Sequence, residues 1–299
     1  METRNLLLIS NPKAGRGGVE RAQEVSRFCE RLKARGIRVE VANTKGPGDA
    51  ARLAAGAVDE GVREVVVSGG DGTINEALQG LIGKEVKLGV WPRGTANVLA
   101  RELHLPFDVA GAAEVIARAR TKKIFVGCAT IEKTGERRYF FLMAGIGLDA
   151  SIVNQVSPRL KRRMGEAAFW YSGLEHLASW QPVPFSVETE GEVFTATFAA
   201  IGKAARYGGN LSITPRASLF EPRFEICLID SNSRLRYLRL LSHAMRGGVS
   251  SKTQGIRFIE TTRARAWGDA LVQADGELID HLPMSFDIAP SPIEIIVNS

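Results

Sequence analysis

Residues 65–76 read Val65-Val66-Val67-Ser68-Gly69-Gly70-Asp71-Gly72-Thr73-Ile74-Asn75-Glu76. The β-branched run predicts a buried strand, and Thr73 with Glu76 three residues later predicts a capping box at the start of a helix. Glycines between strand and helix let the backbone approach phosphate oxygens, and the helix N-terminus offers free N–H groups. Asp71 is the one carboxylate of the loop, placed to bind Mg²⁺ or accept a proton. The segment therefore indicates a phosphate-binding loop, although a plain glycine-rich turn would show the same pattern.

Two further glycine-containing loops follow predicted strands. One runs from Asn11 to Gly18 after the first strand, and the other runs from Pro92 to Asn97 after the fourth. Because α/β sheets bind ligands at the carboxyl ends of their strands, we expect the three loops to form one anion site. Lys13, Arg16 and Arg93 would supply its positive charge. The two common nucleotide signatures, Gly-x-x-x-x-Gly-Lys-[Ser/Thr] and Gly-x-Gly-x-x-Gly, are absent.

The order of the secondary-structure patterns predicts two domains. Strands alternate with helices over residues 1–123, which predicts an α/β domain with a parallel sheet covered on both faces. Strand patterns dominate residues 124–288, which predicts a mainly antiparallel β-sandwich or barrel. The sequence leaves open whether a last strand within 289–299 returns to the first domain. A length of 299 residues agrees with two domains.

Composition restricts the class of protein. The chain is 44% hydrophobic and 24% charged, as in a folded globular protein. Cys29, Cys128 and Cys227 form no Cys-x-x-Cys pair, which argues against a disulfide framework and fits a reducing cytoplasm. No run reaches the roughly 20 apolar residues of a membrane span, so any membrane contact is expected to be peripheral. The net charge of +6 fits an anionic partner without identifying it.

An ordered set of motifs resembles the diacylglycerol kinase catalytic-domain family, which includes bacterial soluble lipid kinases and sphingosine and ceramide kinases. The matching segments are Asn11-Pro12 with Gly15, Gly69 to Glu76, Gly94 to Asn97, Ala144 to Asp149, Tyr207-Gly208-Gly209 with Thr214 to Ala217, and Asp275 to Glu277. The resemblance implies a lipid kinase that uses ATP and Mg²⁺ in lipid metabolism and phospholipid biosynthesis. It further implies a nucleotide domain of the NAD kinase and phosphofructokinase type, followed by a β-sandwich that takes a diacylglycerol-like lipid.

The same resemblance implies the residues of the nucleotide site. Asp71 would be a catalytic and metal-binding residue. The nucleotide contacts would be made by Asn11, Lys13, Gly15, Thr44, Gly69, Gly70, Gly72, Thr73, Glu76, Gly94, Thr95 and Asn97.

Asp275-Gly276-Glu277 follows the apolar run Ala270-Leu271-Val272 and places two carboxylates around a glycine. Because Asp-Gly is a common turn dipeptide, the segment by itself reads as a β-turn. The family resemblance implies instead an active-site segment, with Glu277 as the general base and Asp275 supporting it or binding Mg²⁺. Which of the two carboxylates is the base stays open at the level of sequence.

Two more acidic residues are candidates. Asp149 either caps the helix that follows it or, by resemblance, binds the polar head of the acceptor. Many bacterial members of the family carry a structural Mg²⁺ site at an Asp-Gly in the segment matching Ser218 to Arg223. Glu221 is therefore the candidate ligand of an accessory metal site, but its longer side chain, Pro222 and Arg223 all depart from the family pattern.

Two basic segments suggest an anionic membrane surface as a partner. One is Arg159 to Arg163 beside Phe169-Trp170-Tyr171, and the other is a helix with Leu235, Leu238, Leu241 and Met245 on one side and arginines around it. A core-packed helix with a solvated basic face would show the second pattern as well. We expect a lipid substrate, no nucleic acid, and a cytoplasmic location with peripheral membrane association, and the sequence leaves a homodimer open.

Two other functions remain as alternatives. NAD kinases and phosphofructokinases share the Gly-Gly-Asp-Gly loop, but Gly94 to Asn97 and Asp275 to Glu277 favour a lipid kinase. A catalytically silent lipid- or nucleotide-binding protein is disfavoured because Asp71, Asp275 and Glu277 are retained, while Glu221-Pro222 keeps it open. The sequence does not specify the acceptor among diacylglycerol, monoacylglycerol, phosphatidylglycerol, sphingoid bases and undecaprenol.

Overall fold

The computed structural model describes residues 4–15, 19–155, 180–207, 211–245 and 255–298. The chain divides into two compact units. Unit 1 comprises the residues up to Ile124 together with those from Pro290 onward, and unit 2 comprises Phe125–Ala289. Within the described ranges, no helix is both long and apolar enough to cross a bilayer.

Unit 1 is a six-stranded sheet with helices, in the strand order β2-β1-β3-β4-β20-β5. Neighbouring strands are parallel except for β5, which runs antiparallel to β20. The runs Leu6 to Ile9 and Val65 to Val67 are buried, as expected for parallel strands covered on both faces. Its elements are β1 (Arg4–Ser10), α1 (Val19–Lys33), β2 (Ile37–Asn43), α2 (Asp49–Asp59), β3 (Glu64–Gly69), α3 (Asp71–Leu81), β4 (Lys87–Pro92), α4 (Val98–Glu102), α5 (Val109–Arg118), β5 (Thr121–Ile124) and β20 (Ile293–Ile296).

Unit 2 contains two six-stranded antiparallel sheets, in the orders β10-β9-β16-β19-β6-β7 and β15-β14-β11-β8-β17-β18. One apolar cluster contains side chains from both sheets, which makes the unit a β-sandwich. Its elements are β6 (Gly127–Ile131), β7 (Arg137–Phe140), β8 (Met143–Gly147), α6 (Leu148–Gln155), β9 (Phe185–Thr189), β10 (Glu192–Ala196), β11 (Phe198–Gly202), β12 (Arg206–Tyr207), β13 (Leu211–Ser212), β14 (Phe224–Ile229), α7 (Arg234–Met245), β15 (Ile256–Thr261), β16 (Arg263–Gly268), β17 (Leu271–Ala274), β18 (Glu277–His281) and β19 (Met284–Ile288). The fold class predicted from the sequence, an α/β domain followed by an antiparallel β-sandwich, is confirmed.

The hydrophobic pattern predicts one strand from Val193 to Ile201, and this prediction is wrong in detail. The apolar run from Val193 to Ile201 is divided between β10, which pairs with β9, and β11, which belongs to the other sheet. Thr197 separates them, and its N–H donates to the carbonyl oxygen of Ile229 at 2.8 Å. Because Ala196 of β10 and Ala199 and Ile201 of β11 belong to one sandwich core, the hydrophobic pattern continues across the point where the chain changes sheet.

Candidate functional site

The three glycine-containing loops of unit 1 lie side by side. They follow β1, β3 and β4, which are neighbours in the parallel sheet. The N–H of Asn11 donates to Ser68 O at 2.9 Å, and the N–H of Arg93 donates to Gly69 O at 2.8 Å. Hydrogen bonds between main chains therefore continue beyond the strands and hold the loops at one edge of the sheet.

Two glycines bring the second and third loops into backbone contact. A Cβ atom added to Gly94 would lie 2.5 Å from the Cα atom of Gly70, closer than real Cβ contacts allow. Asn97 holds this turn, since its Oδ1 accepts from Gly94 N at 2.7 Å and its Nδ2 donates to Gly94 O at 2.7 Å. Asn97 itself has a φ of 48°, a conformation that asparagine tolerates better than most residues. Close packing thus requires glycine at position 94, and a Cβ atom on Gly70 would make a tight contact of 3.1 Å with the Cα atom of Gly94.

The carboxylate of Asp71 joins the same two loops. Its oxygens accept the backbone N–H groups of Val98 at 3.0 Å and Leu99 at 3.2 Å, at the start of α4. Burial raises the pKa of Asp71 above its usual value, while these N–H groups act in the opposite direction. Asp71 is therefore a half-buried carboxylate held rigidly at the start of α3.

Thr73 and Glu76 do not form the predicted capping box. Helix α3 begins at Asp71 with Gly70 as its N-cap. The Thr73 hydroxyl accepts from Asn11 Nδ2 at 3.0 Å, and Glu76 Oε1 accepts from Ala50 N at 3.0 Å near the start of α2. The prediction is wrong because the N-cap is Gly70, three residues before Thr73, so Thr73 lies inside the first turn and Glu76 stabilises a different helix.

The remaining candidates in unit 1 lie at the rim of these loops. Lys13 is exposed, and Gly15 has a φ of 72° and packs beside Arg93. Thr44 follows β2, and its N–H donates to Ser10 O at 3.0 Å, next to the first loop. Gly72 is exposed in the first turn of α3. Arg16 lies outside the described residues.

A cavity of about 800 Å³ opens beside the first and third loops. This volume is within the range of small-molecule and cofactor sites. Of the predicted nucleotide residues, those on its wall are Gly15, Gly94, Thr95 and Asn97, accompanied by Glu24 and Phe107. Arg93 also lines it, but its guanidinium forms an ion pair with Glu24. Arg93 is therefore less available as a free cation than the sequence suggested.

Arg21 is a buried cation that sequence reasoning missed. Its side chain is 3% exposed, donates to Ser68 Oγ at 2.7 Å and lies 4.8 Å from the centre of the Trp91 ring. Burial is the main reason that its pKa falls to about 10. The apolar residues Ala22, Val25, Phe28 and Leu32 predict the inner face of α1, whereas Arg21, Phe28 and Leu32 are the buried residues. Arg21 lies seven residues before Phe28 and eleven before Leu32, a helical spacing that places all three on one face. Hydrophobic periodicity misses it because an arginine is not expected on a buried face.

In unit 2, Asp275 organises a tight hairpin between β17 and β18. Asp275 and Gly276 have φ values of 49° and 83°, the conformation that favours Asp-Gly in two-residue hairpin loops. The Asp275 carboxylate accepts three backbone N–H groups, those of Phe141 at 2.9 Å, Leu142 at 2.9 Å and Met143 at 3.0 Å. It therefore fixes the hairpin against β8, and its oxygens are engaged by the main chain.

Glu277 differs from Asp275 although only one residue separates them. It is the first residue of β18, and its side chain is exposed. Within the described part of the chain, no hydrogen bond or ion pair to its carboxylate is found. Glu277 thus retains the acceptor capacity that a general base needs, while Asp275 does not.

Asp149 is the second residue of α6, which begins directly where β8 ends. The register pairs Ala274, just before the Asp275 hairpin, with Ala144 near the start of β8. The backbone of Asp149 therefore follows the opposite end of β8 from the hairpin. Helix α6 itself packs against β17 and β18.

Glu221 lies in a loop whose polar groups are already paired. Its carboxylate is 2.6 Å from Arg223 Nη2, and its carbonyl oxygen accepts from the buried Lys203 Nζ. Among the described residues, no three His, Cys, Asp or Glu side chains converge as a metal-binding group. The basic segment from Arg159 to Arg163 and the aromatic residues 169–171 lie outside the described residues.

Comparisons with known proteins cover both units. Residues 5–129 match the family model of the diacylglycerol kinase catalytic domain, and residues 143–297 match the YegS C-terminal NAD kinase beta sandwich-like domain. A diacylglycerol kinase of Mycobacterium tuberculosis (strain H37Rv) is 31% identical over 296 residues, covering 96% of this chain and 93% of the relative. A diacylglycerol kinase of Staphylococcus aureus (strain MRSA252) is 28% identical over 284 residues, covering 93% of this chain and 88% of the relative.

Solved structures support the fold. The crystal structure of a diacylglycerol kinase from Bacillus anthracis strain Sterne has a TM-score of 0.76 at 21% identity, covering 100% of this chain and 98% of that one. A further crystal structure from that organism has a TM-score of 0.82 at 23% identity, covering 99% and 95% of the two chains.

Proposed function

Since the chain belongs to the diacylglycerol kinase family and is a lipid kinase, we propose that it transfers the γ-phosphate of ATP to a hydroxyl of a diacylglycerol-like lipid. The observation that carries the ATP assignment is the backbone contact between Gly70 and Gly94, where two loops at the carboxyl ends of neighbouring strands pack without side chains. Such glycine-lined main chain lets phosphate oxygens approach N–H groups closely. The N-terminus of α3 adds a favourable dipole for the phosphates.

Asp71 would hold the Mg²⁺ that accompanies ATP. Two backbone N–H groups use part of its acceptor capacity, and a carboxylate has about four lone-pair sites, so ligand positions remain. Mg²⁺ in kinases is usually held by one or two carboxylates together with substrate phosphates, which fits a single aspartate in this loop. When bound, the ion would neutralise negative charge that develops on the phosphoryl group.

Glu277 is proposed as the general base that accepts the proton of the lipid hydroxyl. As the lipid hydroxyl oxygen forms its bond to the γ-phosphorus, the bond from that phosphorus to the β–γ bridging oxygen breaks and ADP leaves. The hydroxyl proton passes to the Glu277 carboxylate. Asp275 is proposed to position Glu277, because the three backbone N–H groups that donate to its carboxylate fix the hairpin that carries Glu277. Asp149 is proposed as a contact to the polar head of the acceptor.

The direct test supplies radiolabelled [γ-³²P]ATP and Mg²⁺ with diacylglycerol in mixed micelles, in parallel with NAD and sugar phosphates in solution. We expect label in the organic extract as a phosphorylated lipid. Monoacylglycerol, phosphatidylglycerol, a sphingoid base and undecaprenol in the same micelles rank the acceptors. Label that enters only soluble products would contradict the proposal and support the NAD kinase-like alternative.

Helix α7 is proposed as the surface that meets the membrane. Tyr237 and Leu240 are buried, whereas Leu235 is 66% exposed and Leu238 is 40% exposed. Leu235, Leu238 and Arg239 lie at helical spacings of three and four residues, so the two leucines and one arginine share an outward face. Apolar side chains beside exposed arginines suit an anionic lipid surface, because the leucines enter the interface and each arginine near the surface contributes about 1 kcal/mol.

The double variant Leu235→Ser/Leu238→Ser is expected to bind phosphatidylglycerol vesicles about 10- to 100-fold more weakly than the wild type. The exposed parts of the two side chains together equal about one leucine, whose burial contributes about 1.5–3 kcal/mol. Vesicle sedimentation measures the effect. Wild-type binding should also weaken as salt rises, since the arginine contribution is screened. Val193→Ser, which removes an exposed apolar side chain from β10, is the matched control. Equal binding by the double variant and the control would exclude α7.

A further inference from the structure

Lys203 is a buried amine in unit 2 that the proposed reaction does not use. It follows β11 directly and is 0% exposed. Its Nζ donates to the carbonyl oxygens of Ser218 at 3.0 Å and Arg223 at 3.1 Å, and to that of Glu221. An ammonium group has three donors and no acceptor, so three carbonyl oxygens satisfy it completely.

The three acceptors belong to one short loop, Ser218 to Arg223. Backbone carbonyl oxygens gathered around a point form the kind of donor set that binds hard cations. Here the charged end of Lys203 occupies that point. Burial is the main cause that lowers the pKa of Lys203 to about 8, so the amine is still mostly protonated at neutral pH.

The acidic side chains around the loop are also balanced by cations of the chain. Arg223 pairs with Glu221 at 2.6 Å and with Glu260 at 2.9 Å. Arg216 lies 3.6 Å from Glu260 and 2.7 Å from the buried Glu225. A divalent cation would have to break the Glu221–Arg223 pair and approach an ammonium of like charge. The residues present therefore do not fit the accessory metal site for which Glu221 was the candidate ligand.

We propose that the ammonium group of Lys203 is a built-in cation that holds the Ser218–Arg223 loop in place of a metal ion. Unit 2 then folds and keeps this loop without any divalent metal, and a metal requirement of the enzyme belongs to the nucleotide alone. Burying an ammonium is costly, but three charge-assisted hydrogen bonds offset that cost. This inference goes beyond the proposed reaction and does not depend on which lipid is phosphorylated.

The first experiment uses the wild-type protein without nucleotide. Elemental analysis after dialysis should find Mg²⁺ and Ca²⁺ well below one equivalent. The midpoint of thermal unfolding should be the same in EDTA, Mg²⁺ and Ca²⁺. A retained stoichiometric metal ion, or a midpoint several degrees lower in EDTA, would overturn the proposal. Because no kinase activity is measured, failure here is distinguishable from failure of the proposed function.

The second experiment removes the ammonium. Lys203→Ala removes the charged donor shared by the three carbonyl oxygens, of which only that of Ser218 has a further donor, Glu221 N at 3.3 Å, among the main-chain bonds of the described loop, so the unfolding midpoint should fall by roughly 5 °C or more. Since the ammonium no longer occupies the space among the three carbonyl oxygens, Ca²⁺ should raise the unfolding midpoint of this variant while leaving that of the wild type unchanged. Lys133→Ala, at an exposed position of the same unit, is the control and should show neither effect.

Two outcomes of the second experiment count against a built-in cation. Unchanged stability in Lys203→Ala would show that the loop does not need the ammonium. A loss of stability with no response to Ca²⁺ would reduce Lys203 to an ordinary buried donor. If the variant does not fold, the metal content and EDTA response of the wild type decide the question.

Discussion

Replacing Glu277 by glutamine is expected to lower kcat by about 10²–10⁴-fold while the KM for ATP stays near the wild-type value. Glutamine keeps the size and the hydrogen bonding of the side chain but cannot accept the hydroxyl proton. The phosphate-binding loops belong to unit 1, so ATP binding should be unaffected. Steady-state phosphorylation of the best acceptor in mixed micelles, with ATP varied, measures both constants.

The structure separates Glu277 from Asp275 as candidates for the base. The Asp275 carboxylate accepts three backbone N–H groups, and protonating it would break bonds that hold the hairpin. The Glu277 side chain is exposed at the start of β18. Asp275→Asn is therefore expected to lower stability and activity together. The unfolding free energy should fall by about 1–3 kcal/mol, because the amide NH₂ cannot accept a backbone N–H as the carboxylate oxygen did.

Asp280→Asn is the matched control for Glu277→Gln. Asp280 is an exposed carboxylate on the same strand, three residues away and beyond the irregularity that shifts the register between β17 and β18. Its replacement should leave kcat within a factor of about two, as for surface substitutions away from a site. If Glu277→Gln behaved like Asp280→Asn, Glu277 would not be the base, and the proton would go to Asp71 or to solvent.

Asp71→Asn is expected to lower kcat/KM for MgATP by about 10²-fold or more. The substitution removes the charge that would hold Mg²⁺. It also turns an amide NH₂ toward one of the N–H donors at Val98 and Leu99, which loosens the contact between the second and third loops. Kinetics with varied MgATP at saturating lipid, together with direct nucleotide binding, measure the loss.

Asp108→Asn separates a phosphate-site effect from a general helix-capping effect. Asp108 also accepts a backbone N–H at a helix start, that of Gly111 at 2.9 Å, but it caps α5. Its replacement should cost only about 1 kcal/mol or less of stability, with kcat/KM nearly unchanged. Wild-type activity in Asp71→Asn would remove Asp71 from the nucleotide site.

Local sequence patterns were sufficient to predict local structure where one physical preference acted alone. Runs such as Val65 to Val67 favour buried strands, glycines at Gly70 and Gly94 mark close approach, and Asp275-Gly276 favours a tight hairpin. The pattern failed where a longer-range contact competed with it. Thr73-x-x-Glu76 has the form of a capping box, yet Asn11 takes the threonine hydroxyl and Ala50 takes the glutamate.

The sequence by itself determined the class of the molecule: a parallel α/β unit with glycine loops at its strand ends, followed by an antiparallel β-sandwich. These features follow from hydrophobic periodicity and from the backbone freedom of glycine, which are properties of neighbouring residues. Only the tertiary structure decided which charged groups are free. Glu277 is available and Asp275 is not, Arg21 is buried against Trp91, and Lys203 fills a ring of carbonyl oxygens. The reason is that a charge is neutralised or exposed by partners distant in sequence, and its own neighbours along the chain do not reveal them.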